Sequence, residues 1–202
     1  MKKHNYFRVA VLAVAFFAAA ACQQVYTLVS ADNGVTIGDD FRVTPTSSWS
    51  AIGTGEIQVW TIEGRNLQQI MFVGDRRNGD PLLEGVLPGT GMVQSSATFE
   101  DDLSVVELVE RYQSAFSEFG FTDFEITETS VTDLAGRAAI RLDFTARRDN
   151  LPLYRGTSLI VKNDTSAHSA TYIAADLYYF ERHHAEFMNM MNTVEWLDSA
   201  TL

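Results

Sequence analysis

The stretch "SVVELVERYQSAFSEFG", Ser104 to Gly120, is the most sharply patterned element of this chain. Ser104 and Glu107 stand at capping-box spacing, where each side chain satisfies an amide of the first turn. Val105, Leu108, Val109, Tyr112, Ala115, Phe116 and Phe119 then recur along one face, and Gly120 suits the position after a helix end. The pattern predicts a central amphipathic helix that needs an apolar partner.

That partner is read on both sides of the helix. Downstream lie "FEITETSVTDL" (124–134), "GRAAIRLDFTARR" (136–148), "LYRGTSLIVK" (153–162) and "HSATYIAADL" (168–177). Their alternation suits antiparallel strands, joined by turns at Ala135-Gly136, Asp149-Asn150 and Asn163-Asp164. Upstream, "VYTLVSA" (25–31), "FRVTP" (41–45), "IQVWTIEG" (57–64) and "LQQIMFVG" (67–74) also read as strands, the last two flanking a turn at Gly64-Arg65-Asn66. A second helix is expected from about Tyr179 to Leu197, with Phe180, His184, Phe187, Met191, Val194 and Leu197 along one side. Between Gly74 and Gly91, "GDRRNGDPLLEGVLPGTG" has no clear period and reads as one long loop. The fold class that follows is α+β with a mainly antiparallel sheet.

The 202 residues suit one domain, and 46% apolar with 20% charged residues is the balance of a globular chain rather than a disordered one. The formal net charge is −11. It argues against a nucleic-acid partner and against attachment to anionic head groups by charge.

The first residues differ from the rest. Met1–Arg8 is short and basic, and Val9 to Ala21 has no polar side chain. Thirteen such residues are too few to span a bilayer, which wants roughly 18–20. They match the charged and apolar regions of a secretory signal, so residues 1–21 are expected to be a signal peptide outside the fold. Removing Lys2, Lys3 and Arg8 with it leaves the remainder three charges more negative. The chain's one cysteine follows at once, and it can form no internal disulfide.

Ala19-Ala20-Ala21-Cys22 resembles the lipobox of bacterial lipoprotein precursors, although the family usually has leucine where Ala19 stands. The resemblance implies a diacylglyceryl group on the Cys22 thiol, cleavage before it, and acylation of the new amine. Two or more chains hold stably where one does not. A cut after Ala-x-Ala by an ordinary signal peptidase would instead leave Cys22 unmodified. Gln23, where aspartate commonly retains such proteins at the inner membrane, implies the periplasmic face of the outer membrane. Residues 22–24 are then a short tether, and 25–202 a single domain.

The order of elements in that domain resembles the PsbP/DcrB-like fold. The features are "FRVTPTSSW", the central helix, the hairpin entered by "LAGRAAIRLDF", and the helix after "ATYIAADL". The resemblance implies an α/β/α sandwich. It also implies a role in binding other proteins, with no family-wide catalytic residues.

Motifs that carry chemistry are few. "ERHHAE" offers Glu181, His183, His184 and Glu186, but adjacent histidines diverge by about 100° around a helix and only Glu181 and His184 could share a face. Nothing in sequence pairs His168 with a serine or cysteine as a catalytic set, "GTG" at Gly89–Gly91 lacks a P-loop's lysine, and "FEDDLS" suits a helix dipole rather than a calcium loop. No catalytic residue, metal set or cofactor is expected. Arg76 and Arg77 form a basic pair in an acidic chain and are the expected anchor for an acidic protein partner. The function expected is a non-catalytic, membrane-anchored binding or assembly module of the cell envelope; the alternative is a small-molecule carrier or enzyme with an unrecognised pocket.

Overall fold

The computed structural model describes residues 26–87, 91–148 and 151–197. The signal segment, Cys22, the tether and the Asp149-Asn150 turn lie outside the described residues, as do Gly89 and Thr90.

An eight-stranded antiparallel sheet organises the chain, in the order β1-β4-β5-β6-β12-β11-β10-β9. Its members are β1 (Thr27–Val29), β4 (Trp49–Ile52), β5 (Ile57–Thr61), β6 (Gln68–Arg77), β9 (Thr122–Leu134), β10 (Arg137–Arg147), β11 (Tyr154–Lys162) and β12 (Ser166–Ala175). A small sheet joins β2 (Val35–Ile37), β3 (Phe41–Val43) and β13 (Glu195–Trp196), and β7 (Glu84–Leu87) pairs with β8 (Gly91–Gln94). Among the described residues two helices, α1 (Val105–Glu118) and α2 (Tyr179–Met191), lie on opposite faces of the large sheet.

Strand periodicity builds the two cores, because successive side chains leave opposite faces. Val59, Met71, Val73, Leu142 and Phe144 go to the α1 side with Leu108, Tyr112 and Phe116. Trp60, Ile70, Phe72, Tyr172 and Ala174 go to the other side with Phe180, Phe187 and Met190. Every position of the central strand β12 is buried. This is the expected α/β/α sandwich, and the Ser104–Glu107 capping box forms with both reciprocal bonds.

Two expectations are corrected. The second helix stops at Met191 rather than near Leu197. The Thr193 hydroxyl donates to the Met190 carbonyl (2.7 Å) and accepts from the Thr44 amide (2.8 Å), so the chain turns onto β3. Glu195 and Trp196 then pair with Arg42 and Phe41. An apolar run continues smoothly from helix to strand, and a short run cannot report where the period changes.

The second correction concerns Gly74–Gly91, which is not one loop. Gly74–Arg77 is the end of β6, with Arg76 and Arg77 opposite Ala167 and Ser166. A tight turn at Gly79 follows, then Leu82 and Leu83, both fully buried, and the β7–β8 hairpin. Irregular backbone carries the two leucines inward, which is why no period shows.

Candidate functional site

The two helices do not cover the sheet equally. On the α1 face, the strands near β1 and β4 are left open, and a groove of about 620 Å³ lies there. Its floor is Ile52, Ile57 and Val59, and its walls are the Gly53–Glu56 turn, Gly38-Asp39 and Gly85. The turn needs glycine at Gly53, where φ is +87° and a Cβ would sit 2.4 Å from the Ile57 carbonyl oxygen.

Arg76, the first residue of the expected basic pair, is in this groove and not on the surface. It is 4% exposed. Its Nε donates to the Gly74 carbonyl (3.0 Å), one Nη bonds Glu56, and the other lies 3.6 Å from Glu84. The guanidinium thus ties the β4–β5 turn to the β7–β8 hairpin. Arg77 is exposed and pairs with Asp75 at 2.7 Å, the main cause of its raised pKa. The two arginines face different surroundings because neighbours on a strand point to opposite faces. They do not form one cationic patch.

At the other end of the groove the floor runs into a recess of Val59, Met71, Phe116, Phe119 and Phe121, bordered by Arg65 and Arg148. Arg148 lies over the Phe121 ring at 5.0 Å. Burial lowers the pKa of Arg65, Tyr26 opposes that shift, and the like charge of Arg148 adds to it. Val59, Arg65 and Gly85 belong to both groove and recess.

A second cavity, about 410 Å³, opens where the small sheet meets the ends of β6 and β12. Asp40, Asp75 and His168 converge there, with Arg77 and Arg137 also lining it. Among the described residues this is the one set of three possible metal ligands within mutual reach. The hydrogen bonds explain it otherwise. The β6–β12 register shifts between Ala167 and Ser169, and the Asp75 amide that leaves the ladder donates to His168 Nδ1 (3.0 Å). With Nδ1 accepting, Nε2–H donates to Ser166 Oγ (3.2 Å), whose hydroxyl donates to Asn163 Oδ1 (3.1 Å). Both ring nitrogens are engaged in holding the bulge, so the imidazole has no lone pair to offer a cation.

Burial brings the His168 pKa down to about 4, so the ring is neutral at pH 7. Asp40 moves the other way, to about 6, first because it is desolvated and then because Asp75 and Glu56 are nearby. Its Oδ2, 3.9 Å from His168 Nδ1, is buried without a hydrogen bond. Sequence reasoning passed over Asp40 and Asp75; only the positive φ of Asp75 marks the place, and that is a structural signal.

The histidines of α2 separate as well. His183 is buried, with Glu186 and Glu63 at 3.3 and 3.5 Å. His184 Nε2 donates to Thr157 Oγ1 (3.0 Å), which donates to Asp143, and its ring stacks on Phe180. Glu181, the expected companion of His184, pairs instead with Arg155 at 2.6 Å.

No protein-family model matches the chain, and no curated protein sequence does. Among solved structures it is similar to the cyanobacterial PsbP of Synechocystis, at 9% identity over 88% of this chain and 95% of that one, with a TM-score of 0.49. It is similar to PA94 of Pseudomonas aeruginosa, a protein of unknown function, at 10% identity over 86% and 84%, with a TM-score of 0.42. LpqN of Mycobacterium tuberculosis, involved in cell envelope biogenesis, is 9% identical over 89% and 88%, with a TM-score of 0.33.

Proposed function

We propose that this chain is a lipid-anchored, non-catalytic binding module of the cell envelope, held through Cys22 at the periplasmic face of the outer membrane, and that the groove along β4 and β5 is its binding site. The observation that carries the reading is the pairing of β1, the strand that follows Cys22 most closely, with β4 at the groove. Tyr26 enters β1, whose Thr27 pairs with Ala51, so it stands beside Ile52 of the groove floor and Gly53 of its wall. Four residues from Cys22 to Tyr26 reach at most about 14 Å. An acylated Cys22 would hold the groove close to the bilayer.

Non-catalytic binding is supported by the engagement of the polar groups. His168 is committed to the bulge, His183 and His184 have separate partners, and Arg76 is locked between two carboxylates. Among the described residues no helix is long and apolar enough to cross a membrane.

The test is Cys22→Ser in cells fed labelled palmitate. The variant is expected to lose the label and leave the membrane fraction, and the wild type to float with outer-membrane density. A variant that still takes up label, or a wild type that sediments with the inner membrane, would refute the anchor or its location respectively.

A further inference from the structure

We propose that the cavity between the small sheet and the ends of β6 and β12 binds a small zwitterion, a molecule carrying a primary ammonium and a carboxylate a few bonds apart. The cavity shares no lining residue with the groove, so it is a second site, and it stands whether or not the chain is lipid-anchored.

Charge pairing in the cavity leaves one anion and one cation over. Asp40, Asp75, Arg77 and Arg137 line it, with His168 neutral. Arg77 answers Asp75, its Nε and Nη2 both 2.7 Å from Oδ2. Asp40 has no such partner. Its Oδ2 is buried without a hydrogen bond, and among the described residues no arginine or lysine pairs with it. With its pKa at about 6 it is still mainly ionised at pH 7. Arg137 is the unmatched cation. Its guanidinium lies over the Trp196 ring at 4.0 Å and pairs with no carboxylate among the described residues. Stacking occupies the face of a guanidinium and leaves its in-plane N–H donors for an oxyanion.

The fold keeps these two charges from meeting. Asp40 leads into β3, and Phe41 pairs there with Trp196. The His168 ring stands 3.9 Å from Asp40 Oδ2 and packs on Trp196 at 5.4 Å, and Trp196 carries Arg137 on its own ring. Two rings in series therefore separate the carboxylate from the guanidinium. Arg77 cannot serve both ends, because β12 and β11 lie between β6 and β10 and set the two arginine backbones roughly 14 Å apart.

The anionic end suits an ammonium. One oxygen of Asp40, one of Asp75 and a ring nitrogen of His168 lie within 4.8 Å of one another. A single –NH3+ can bridge two carboxylates at that spacing, since each charge-assisted bond spans about 2.8 Å. A metal ion is the poorer fit, because the His168 Nδ1 lone pair already accepts the Asp75 amide. A buried carboxylate without a cation destabilises the fold, and a ligand ammonium would relieve that cost. The volume of about 410 Å³ is that of a site for a small molecule, amino acid or short peptide.

The test titrates the full chain, in detergent micelles, with the ω-amino acids from glycine to 6-aminohexanoate and with dialanine, read by saturation-transfer difference NMR. Butane-1,4-diamine and glutarate, each with charge of one sign, are the comparison probes. At least one zwitterion should bind with a Kd below about 10 mM. It should bind about tenfold more tightly than the diamine or the dicarboxylate. Asp40→Asn and Arg137→Gln should each weaken that binding about tenfold or more, with both variants folded in thermal melts and Asp40→Asn melting above wild type. A best fit to dialanine identifies a peptide and a best fit to an ω-amino acid a free amino acid; either supports the proposal. It is overturned if no zwitterion binds, if the diamine or glutarate binds as tightly, or if binding survives undiminished in either variant.

Discussion

The two faces of the eight-stranded sheet solve the same burial problem differently. On one, α2 and the small sheet cover the strands from β1 to β10, and Val29, Trp49, Trp60, Tyr172 and Phe187 share one core. On the other, α1 packs over Val59, Met71, Val73 and Phe144, but Tyr26 and Leu28 stay exposed and Ile52 half-buried. An apolar strip open to water stabilises nothing in the isolated fold, and it borders the groove proposed above as the binding site.

The largest effects should come from the closed parts of both faces. Phe187→Ala and Phe116→Ala each remove a fully buried ring, and each should destabilise by about 3–5 kcal/mol in denaturant unfolding. If either cost less than about 1 kcal/mol, that face would be looser than its packing indicates.

Arg76→Ala tests the tie at the groove. It removes a buried guanidinium from between Glu56 and Glu84 and should cost about 2 kcal/mol, whereas Arg77→Ala should leave the midpoint where it is. Equal effects would mean that the structure assigns the pair to the wrong environments.

Asp40 and His168 sharpen the comparison through pH. The Asp40 pKa is raised on folding, so its buried carboxylate destabilises the native state above about pH 6, and this penalty disappears as pH falls toward 4. The His168 pKa is lowered, so stability is lost as pH falls from 6.5 toward 4. The two slopes oppose each other across nearly the same window. Asp40→Asn should therefore stabilise by roughly 1–2 kcal/mol at pH 7 and unmask a steeper loss below pH 6, read from melts across the range. A pH profile parallel to wild type would assign the shift to other groups.

The smallest effect belongs to the open strip. Leu28→Ser should change stability by less than about 0.5 kcal/mol. A large loss would show that Leu28 is covered within the chain and that the α1 face is closed after all.

Where the reading was local, it was legible in sequence. The Ser104–Glu107 cap, the apolar face of α1 (apart from Val105, which the structure leaves exposed) and the strand alternation all depend on residues within a few positions of one another, and so does the turn at Ala135-Gly136. Those features were enough to set an α+β class with a mainly antiparallel sheet, and the α/β/α layering was what the resemblance to the PsbP/DcrB-like fold implied. Long-range pairing decided the rest. Arg76 looks like any surface arginine until β6 turns it toward Glu56, twenty residues earlier, and away from Arg77. His168 has no evident partner in sequence until a bulge offers it the amide of Asp75, ninety-three residues away. The end of α2 depends on β3 having an edge to give. The groove, too, belongs to tertiary structure alone: it exists because one short helix cannot cover a sheet of eight strands, and no run of residues records which strands are left open.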